Sequence, residues 1–145
     1  MKLNPNNTWR LVQERMERES DPKTRRNLEL VLQHMQQEAK GDIEGVVATL
    51  CNKPKYVSHD MPDEETLNPA GSKDAVRSFY DLTIVQTGAH QLELNCDRVI
   101  ADHEAVMTEG VMRMAYPGET LAALGVEIDD PGAYYLYQTR MSVVW

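Results

Sequence analysis

Two neighbouring residues, His59 and Asp60, are the strongest candidates for acid–base chemistry in this 145-residue chain. An imidazole titrates near neutral pH, so His59 is suited to take a proton from carbon or from water. Asp60 is suited to orient that imidazole, or to act as the base itself where a dry pocket raises its pKa. Adjacent residues of a strand point to opposite faces, so only one of the two enters a cavity unless the strand bends. An exposed histidine at a strand end is the alternative that the residues leave open.

Other side chains are candidates for the same cavity. His34 is a candidate proton donor, and a core histidine with satisfied hydrogen bonds is the alternative. The lining that we expect combines apolar surface with a few hydroxyl groups: Tyr56, Tyr80, Tyr137, Met112 and Met114. Ordinary packing would also explain each of these tyrosines and methionines.

The sequence has no pattern typical of a metal or cofactor site. Its four histidines and Asp60 lack the spacing of metal ligands. A glycine-rich phosphate loop and a nucleophile elbow are also missing. We therefore predict a site that uses neither a metal nor a cofactor.

Length and composition predict one globular domain. A chain of 145 residues with 41% hydrophobic content buries a core without crosslinks. The net charge of -8 argues against nucleic acid or an anionic membrane as the partner. The N-terminus lacks an apolar signal core and no segment has the roughly 20 apolar residues of a membrane span, so we predict a cytoplasmic protein. Cys51 and Cys96 lie in apolar surroundings, and we expect buried free thiols.

Capping residues predict four helical starts: Asn7 or Thr8, Asp21 before Pro22, Asp42, and Ser72. The second helix is predicted to run to about Ala39 and to end at Gly41, and the fourth closes at Thr87-Gly88. The first helix belongs to an N-terminal arm, residues 1–21. Residues 22–145 form the main domain.

Apolar and alternating segments predict strands: Tyr56–Asp60, His90–Ile100, Ala105–Tyr116 and Tyr134–Trp145. Helices followed by a meandering antiparallel sheet give an α+β fold. The connection from Pro117 to Ala133 contains one predicted helical turn, and we expect it to form a mobile lid over the pocket. Arg98 falls on the apolar side of its predicted strand, which favours a buried ion pair with Glu109.

The last strand predicts a homodimer. Its apolar side carries a row of large side chains: Tyr135, Tyr137, Met141, Val143 and Trp145. Helices would cover one face of the sheet, so we expect a second copy on the open face. Because the sequence stops at Trp145 without a turn, we expect either that the protein continues or that this end is buried at an interface.

Four segments resemble the nuclear transport factor 2-like superfamily, in its SnoaL-like and ketosteroid-isomerase-like branch: GDIEGVV after a long helix, the strand YVSHDMP, the helix start GSKDAVRSFY, and DRVIADHEAVMTEG across a hairpin. They span Arg25 to Gly110 in the order and spacing of the family. The resemblance implies a curved antiparallel sheet wrapped around N-terminal helices as a cone, with a pocket inside. Members include isomerases, cyclases, dehydratases, epoxide hydrolases and non-catalytic binding modules.

The functional residues of the family match this sequence in part. The oxyanion-stabilising tyrosine of a ketosteroid isomerase falls at His34, and its general-base aspartate falls at His59. Its second oxyanion acid has no clear match near Met141 to Val143. The arginine and aspartate of limonene epoxide hydrolases fall near Gly110 and Met112, so the resemblance disfavours epoxide hydrolysis.

We therefore predict a cofactor-independent isomerase, cyclase or dehydratase that acts on an apolar, cyclic, polyketide-like or terpenoid-like small molecule. His59 or Asp60 would be the base, and His34 or a tyrosine the proton donor. The alternative is a non-catalytic module of the same fold, for ligand binding or dimerisation. A deep cavity with two or more convergent titratable groups would favour the enzyme, and a filled core would favour the module.

Overall fold

Helices come first and an antiparallel sheet last in the computed structural model of the protein, which describes residues 2–59, 67–89 and 91–145. This order confirms the predicted α+β class. The helices are α1 (Asn7–Glu17), α2 (Pro22–Lys40), α3 (Ile43–Thr49), α4 (Lys73–Tyr80), continued by a π-helical turn (Asp81–Val85), and α5 (Gly118–Ala123). The strands are β1 (Leu92–Ala101), β2 (Val106–Pro117) and β3 (Tyr134–Val144). None of the helices in these ranges is long and apolar enough to cross a membrane.

Side-chain caps begin α2, α3 and α4 where the sequence predicts them. In each case the cap accepts hydrogen bonds from amides of the first turn: Asp21 from Lys23 and Thr24, Asp42 from Gly45, and Ser72 from Ala75. Gly41 ends α2 with a φ of 73°, a left-handed conformation that favours glycine. The hinge between α2 and α3 is therefore fixed by local chemistry.

The N-terminal helix is tied to the edge of β1 by polar side chains. The Asn7 side-chain amide donates to Glu93 at 2.9 Å, and the Thr8 hydroxyl accepts from the Leu94 amide at 3.1 Å. The prediction that Asn7 or Thr8 caps α1 is wrong, because both side chains bind β1 and Asn6 stands at the cap position. Val12 of α1 is fully buried in the main core. The arm is therefore an integral part of that core.

Two hydrophobic clusters hold the described chain together. The first lies between α1, α2 and the sheet: Val12, Leu28, Val31, Met35, Leu94 and Val106. The second joins α3 to α4: Val46, Val76 and Tyr80, with Tyr56, Phe79 and Ile84 packed against them. Burying one such leucine or methionine contributes about 1.5–3 kcal/mol. The candidate site lies where these clusters meet.

The strand order is β1-β2-β3, and both pairs are antiparallel. The pairing of β1 with β2 shifts between Cys96 and Arg98, so Asp97 is an extra residue in β1. Such a β-bulge reverses which residues face the core. Val99 accordingly packs on the main core together with Cys96. The bulge therefore ends the simple alternation that the sequence predicts for β1.

The bulge also corrects the prediction for Arg98. Its side chain is 66% exposed on the outer face, whereas we predicted that it shares the apolar side of β1. The predicted partner is confirmed, because Arg98 Nη1 lies 3.4 Å from Glu109 Oε2. An exposed pair of this kind contributes little stability.

The segment predicted as a first strand is a loop over its described part. Residues 56–59 belong to no strand, and Lys55 makes one isolated bridge with Ala70. The Tyr56 amide donates to the Pro69 carbonyl at 2.9 Å, and the Ser58 amide donates to the Asn68 side chain at 2.7 Å. These local bonds take the amides that a sheet would need, so the strand prediction is wrong here.

Both cysteines are free thiols, as predicted. Cys51 is exposed, so the prediction that it is buried is wrong. Cys96 is half-buried, and burial, reinforced by the charge of Asp97, raises its pKa to about 11. A thiol that stays protonated at neutral pH is a poor nucleophile.

Candidate functional site

Five polar side chains meet between the two hydrophobic clusters, and we call them the polar cluster: His34, Glu38, Thr49, Tyr56 and Tyr80. His34 and Glu38 are four residues apart on α2, which places them on one face of the helix. Thr49 ends α3, Tyr56 lies in the loop after it, and Tyr80 ends α4. Three helices therefore converge to build the cluster.

The tautomer of His34 follows from its partner. The Thr49 hydroxyl donates its one proton to the Val46 carbonyl at 2.6 Å. It must then accept from His34 Nδ1, which lies 2.8 Å away. The neutral imidazole therefore carries its proton on Nδ1 and a lone pair on Nε2. In this state Nε2 accepts a proton, whereas we predicted that His34 donates one.

Tyr80 links the histidine to the glutamate. Its hydroxyl lies 2.9 Å from Glu38 Oε1, 3.4 Å from His34 Nε2 and 3.5 Å from the Tyr56 hydroxyl. The carboxylate is the nearer and stronger acceptor, so the Tyr80 proton points to Glu38. A proton added to His34 Nε2 would point to the Tyr80 oxygen. The cluster can therefore hold one extra proton in a chain from His34 through Tyr80 to Glu38.

Burial controls the protonation of the cluster. It lowers the pKa of His34, an effect that the charge of Glu38 partly opposes. Burial also raises the pKa of Tyr80 well above its ordinary value, and the charge of Glu38 adds to the rise. Burial raises the pKa of Tyr56 in the same way. Near neutral pH the site therefore combines a neutral imidazole with two protonated phenols.

A small cavity adjoins this cluster. Its volume is about 10 Å³, and residues of α2, α3, α4, the π-helical turn and β1 line it: Glu38, Gly41, Ile43, Val46, Tyr80, Ile84 and Leu92. Such a volume holds about one water molecule. Pockets for drug-sized ligands measure roughly 300–1,000 Å³. Glu38 and Tyr80 supply the titratable groups of the lining, and a larger ligand would need the walls to move.

The wall contributed by Ile84 belongs to the π-helical turn. This turn follows Tyr80 without a break, and the Gln86 amide bonds to the Asp81 carbonyl at its end. One-turn π segments occur frequently at functional sites. The irregular turn therefore follows a cluster residue, Tyr80, directly and contains a residue of the cavity wall, Ile84.

Of the remaining residues predicted for the site, those that the structure describes lie elsewhere. His59 is exposed in the loop after Tyr56 and does not line the cavity, and Asp60 lies outside the described residues. Met112 packs on the main core, while Met114 pairs with Leu92. Tyr137 is 48% exposed and contacts the Tyr116 ring at a centroid distance of 6.0 Å. The cavity brings together Tyr80 and, through its hydrogen bonds, His34 and Tyr56.

Two members of the cluster were missed by sequence reasoning. Glu38 had a signal, because it follows His34 by four residues on a helix that was predicted correctly. Thr49 had none, because its position depends on how α3 packs on α2. A third contact was also unforeseen. The Trp145 ring lies edge-on to His34 at 5.1 Å, and its indole nitrogen donates to Thr108 at 3.0 Å.

The lid prediction has no supporting contact. The cavity is lined by none of residues 117–133, and Leu124 and Val126 are exposed. The segment is held locally, since the Gly118 amide bonds to the Ala133 carbonyl at 2.8 Å and the Thr120 hydroxyl to the Thr87 carbonyl at 3.0 Å. Its mobility stays a prediction.

Comparison with known protein families and with curated proteins gives no match to this chain.

Proposed function

We propose that this protein binds a small, mainly apolar carbonyl compound and shifts a proton between two of its carbon atoms, as a cofactor-independent isomerase. The observation that carries the proposal is the convergence of Glu38 and Tyr80 on one cavity. The proposal also includes the cone-shaped sheet and the cytoplasmic location that the sequence predicts. In this proposal the base is Glu38 and not His59, because Glu38 lines the cavity whereas His59 is exposed.

Each group has a defined role. Glu38 removes a proton from the carbon beside the carbonyl group and returns it to a second carbon, so no atoms are gained or lost. Tyr80 turns its hydroxyl from Glu38 to the carbonyl oxygen and stabilises the charge that develops there. His34 is a positioning residue, since its lone pair lies 3.4 Å from the Tyr80 oxygen. The cavity must widen for this reaction, and Ile43 and Ile84 are the apolar walls that would move.

The test is proton exchange in heavy water. A panel of cyclic ketones and β,γ-unsaturated cyclic ketones is incubated with the protein, and deuterium incorporation is followed by NMR. We expect incorporation that Glu38→Gln abolishes and Tyr80→Phe lowers by about a hundredfold or more. Tyr116→Phe is the matched control, because Tyr116 lies on β2 outside the polar cluster. This variant should catalyse deuterium incorporation at the rate of the original protein.

A non-catalytic module, for ligand binding or dimerisation, is the second candidate, because a core with a cavity of about 10 Å³ favours a module over an enzyme. In that case ligand-observed NMR detects binding that depends on Tyr80, while no compound gains deuterium. Absence of both exchange and binding across the panel contradicts both proposals.

A further inference from the structure

The free edge of β3 lacks the features that usually prevent strands from pairing with another chain. No described strand lies beyond β3 in the sheet. Its 11 residues, YYLYQTRMSVV, include one charged residue, Arg140, and neither proline nor lysine. Its pairing with β2 continues without a register shift from Pro117 to Met107, so it contains no bulge. Edge strands of soluble proteins are normally protected by one of these devices.

The direction of the free hydrogen-bonding groups follows from one bond. The Trp145 amide donates to the Val106 carbonyl of β2 at 2.8 Å. Backbone groups alternate in direction along a strand, so odd-numbered residues of β3 bond to β2 and even-numbered residues present their groups at the free edge. Any partner strand must therefore pair with the even-numbered set.

We propose that the partner is a second copy of this chain, paired antiparallel with β3 about a two-fold axis at Thr139. The even-numbered residues then exchange backbone hydrogen bonds across the axis, as an antiparallel ladder requires. The side-chain pattern is nearly palindromic about Thr139. The apolar cross-strand pairs are Tyr134 with Val144, Tyr135 with Val143, and Tyr137 with Met141 of the second copy. Aromatic and β-branched pairs of this kind stabilise sheets.

The charge of Arg140 favours this register over the two neighbouring registers, which are centred on Arg140 and on Gln138. Pairing about Thr139 places Arg140 opposite the neutral Gln138 of the second copy. Pairing about Arg140 would place two guanidinium groups opposite each other, which is unfavourable. Pairing about Gln138 would place Val144 opposite Gly132, outside β3. The register about Thr139 is thus the one that uses the whole strand without opposing like charges.

The outer face of the sheet is a poorer interface than this edge. Arg140 binds Asp97 at 2.7 Å and Glu109 at 2.9 Å within its own chain, so ion pairs occupy that face. Met141 and Trp145, which motivated the predicted open-face dimer, pack against the main core instead. The arrangement is isologous and gives one sheet of six strands.

Disulfide trapping tests the two-fold axis. Thr139 would face its own copy as a pair without mutual hydrogen bonds, at a Cα separation of about 4.5 Å, which a disulfide can span. In a Cys51→Ser background, Thr139→Cys should form a covalent dimer on mild oxidation, with a 139–139 crosslink found by mass spectrometry. Ser142→Cys on the same strand is the control, because its two copies would lie about 20 Å apart.

Charge variants at Gln138 test the register. Gln138→Glu would face Arg140 of the second copy and strengthen the dimer, whereas Gln138→Lys would weaken it by roughly three- to thirtyfold. Light scattering across a range of concentrations gives both dissociation constants, and circular dichroism verifies that both variants are folded. A monomeric parent chain overturns the proposal. Weakening by both charges also overturns it, because that result places residue 138 opposite itself.

Discussion

At the scale of a single residue, His34 connects the two hydrophobic clusters. Its Nε2 approaches Tyr80 of the second cluster, while its ring contacts Trp145, which packs on the first. The imidazole is 6% exposed and makes its Nδ1 hydrogen bond to Thr49. A buried polar side chain in such a position orients its neighbours only while its hydrogen bonds are satisfied.

The stability of the protein should therefore fall as His34 becomes protonated. Its pKa is lower in the folded protein than the ordinary value of 6.5, so the unfolded chain binds the proton more tightly. The contribution of neutral His34 to the free energy of unfolding is complete above pH 6.5, and it is lost as the pH falls through the pKa of His34 in the folded protein. Urea unfolding between pH 7.5 and pH 5 should show this loss, and His34→Gln should reduce the slope.

Removing the Tyr80 hydroxyl should also be costly. Tyr80→Phe removes the hydroxyl that donates to the half-buried Glu38 carboxylate at 2.9 Å, so we expect a loss of about 1–3 kcal/mol in the free energy of unfolding. Tyr116→Phe removes a hydroxyl outside the cluster and should cost less. Equal effects of the two substitutions in urea unfolding would contradict the role given to the polar cluster.

At the scale of elements, the bulge in β1 depends on a glycine in β2. A Cβ at Gly110 would clash with the Asn95 carbonyl oxygen and lie 2.8 Å from Cys96 Cα, both backbone atoms. Gly110→Ala must therefore push the two strands apart, and overpacking of this kind costs about 1–3 kcal/mol. Thermal unfolding measures the effect. Gly132→Ala is the control, since its Cβ would meet a side-chain oxygen at 3.3 Å.

The elements show what the sequence could and could not predict. Asp21, Asp42, Ser72 and Gly41 act through bonds within a few residues, so the starts of α2, α3 and α4 and the end of α2 were predictable. The bulge at Asp97 was not, because it depends on the pairing of β1 with a glycine of β2. The loop at residues 56–59 escaped prediction for a similar reason, since Asn68 and Pro69 take its amides. Local sequence signals were therefore enough to predict these helices, whereas the geometry of the site depends on tertiary contacts.

At the scale of the whole molecule, Glu93 connects the arm to the sheet. Burial raises the pKa of Glu93, but hydrogen bonds from Asn4 and Asn7 and the charge of Arg113 outweigh this and bring it below 4.5. The ionised form therefore stabilises the fold above pH 4.5, and this contribution is lost as pH falls through the folded pKa. The arm is therefore bound to the sheet by the hydrogen bonds of Asn4 and Asn7 to Glu93, in addition to its buried Val12.

Deleting residues 1–19 should consequently destroy the cooperative fold of the whole chain. The deletion removes Val12, a fully buried core residue, and exposes the surface of Leu28 and Leu94 that it covers. It also removes the hydrogen bonds that the Asn4 amide and the Asn7 side chain donate to Glu93, and hydrogen bonds to a charged group contribute about 1.5–3 kcal/mol. Because domains are stable by only about 5–15 kcal/mol, the shortened chain should lose its sharp thermal transition in circular dichroism. Glu93→Gln in the full chain is the milder variant, and it should keep a sharp transition at a lower midpoint. A shortened chain that melts as sharply and as high as the full chain would show that α1 adds nothing to the stability of the rest of the chain.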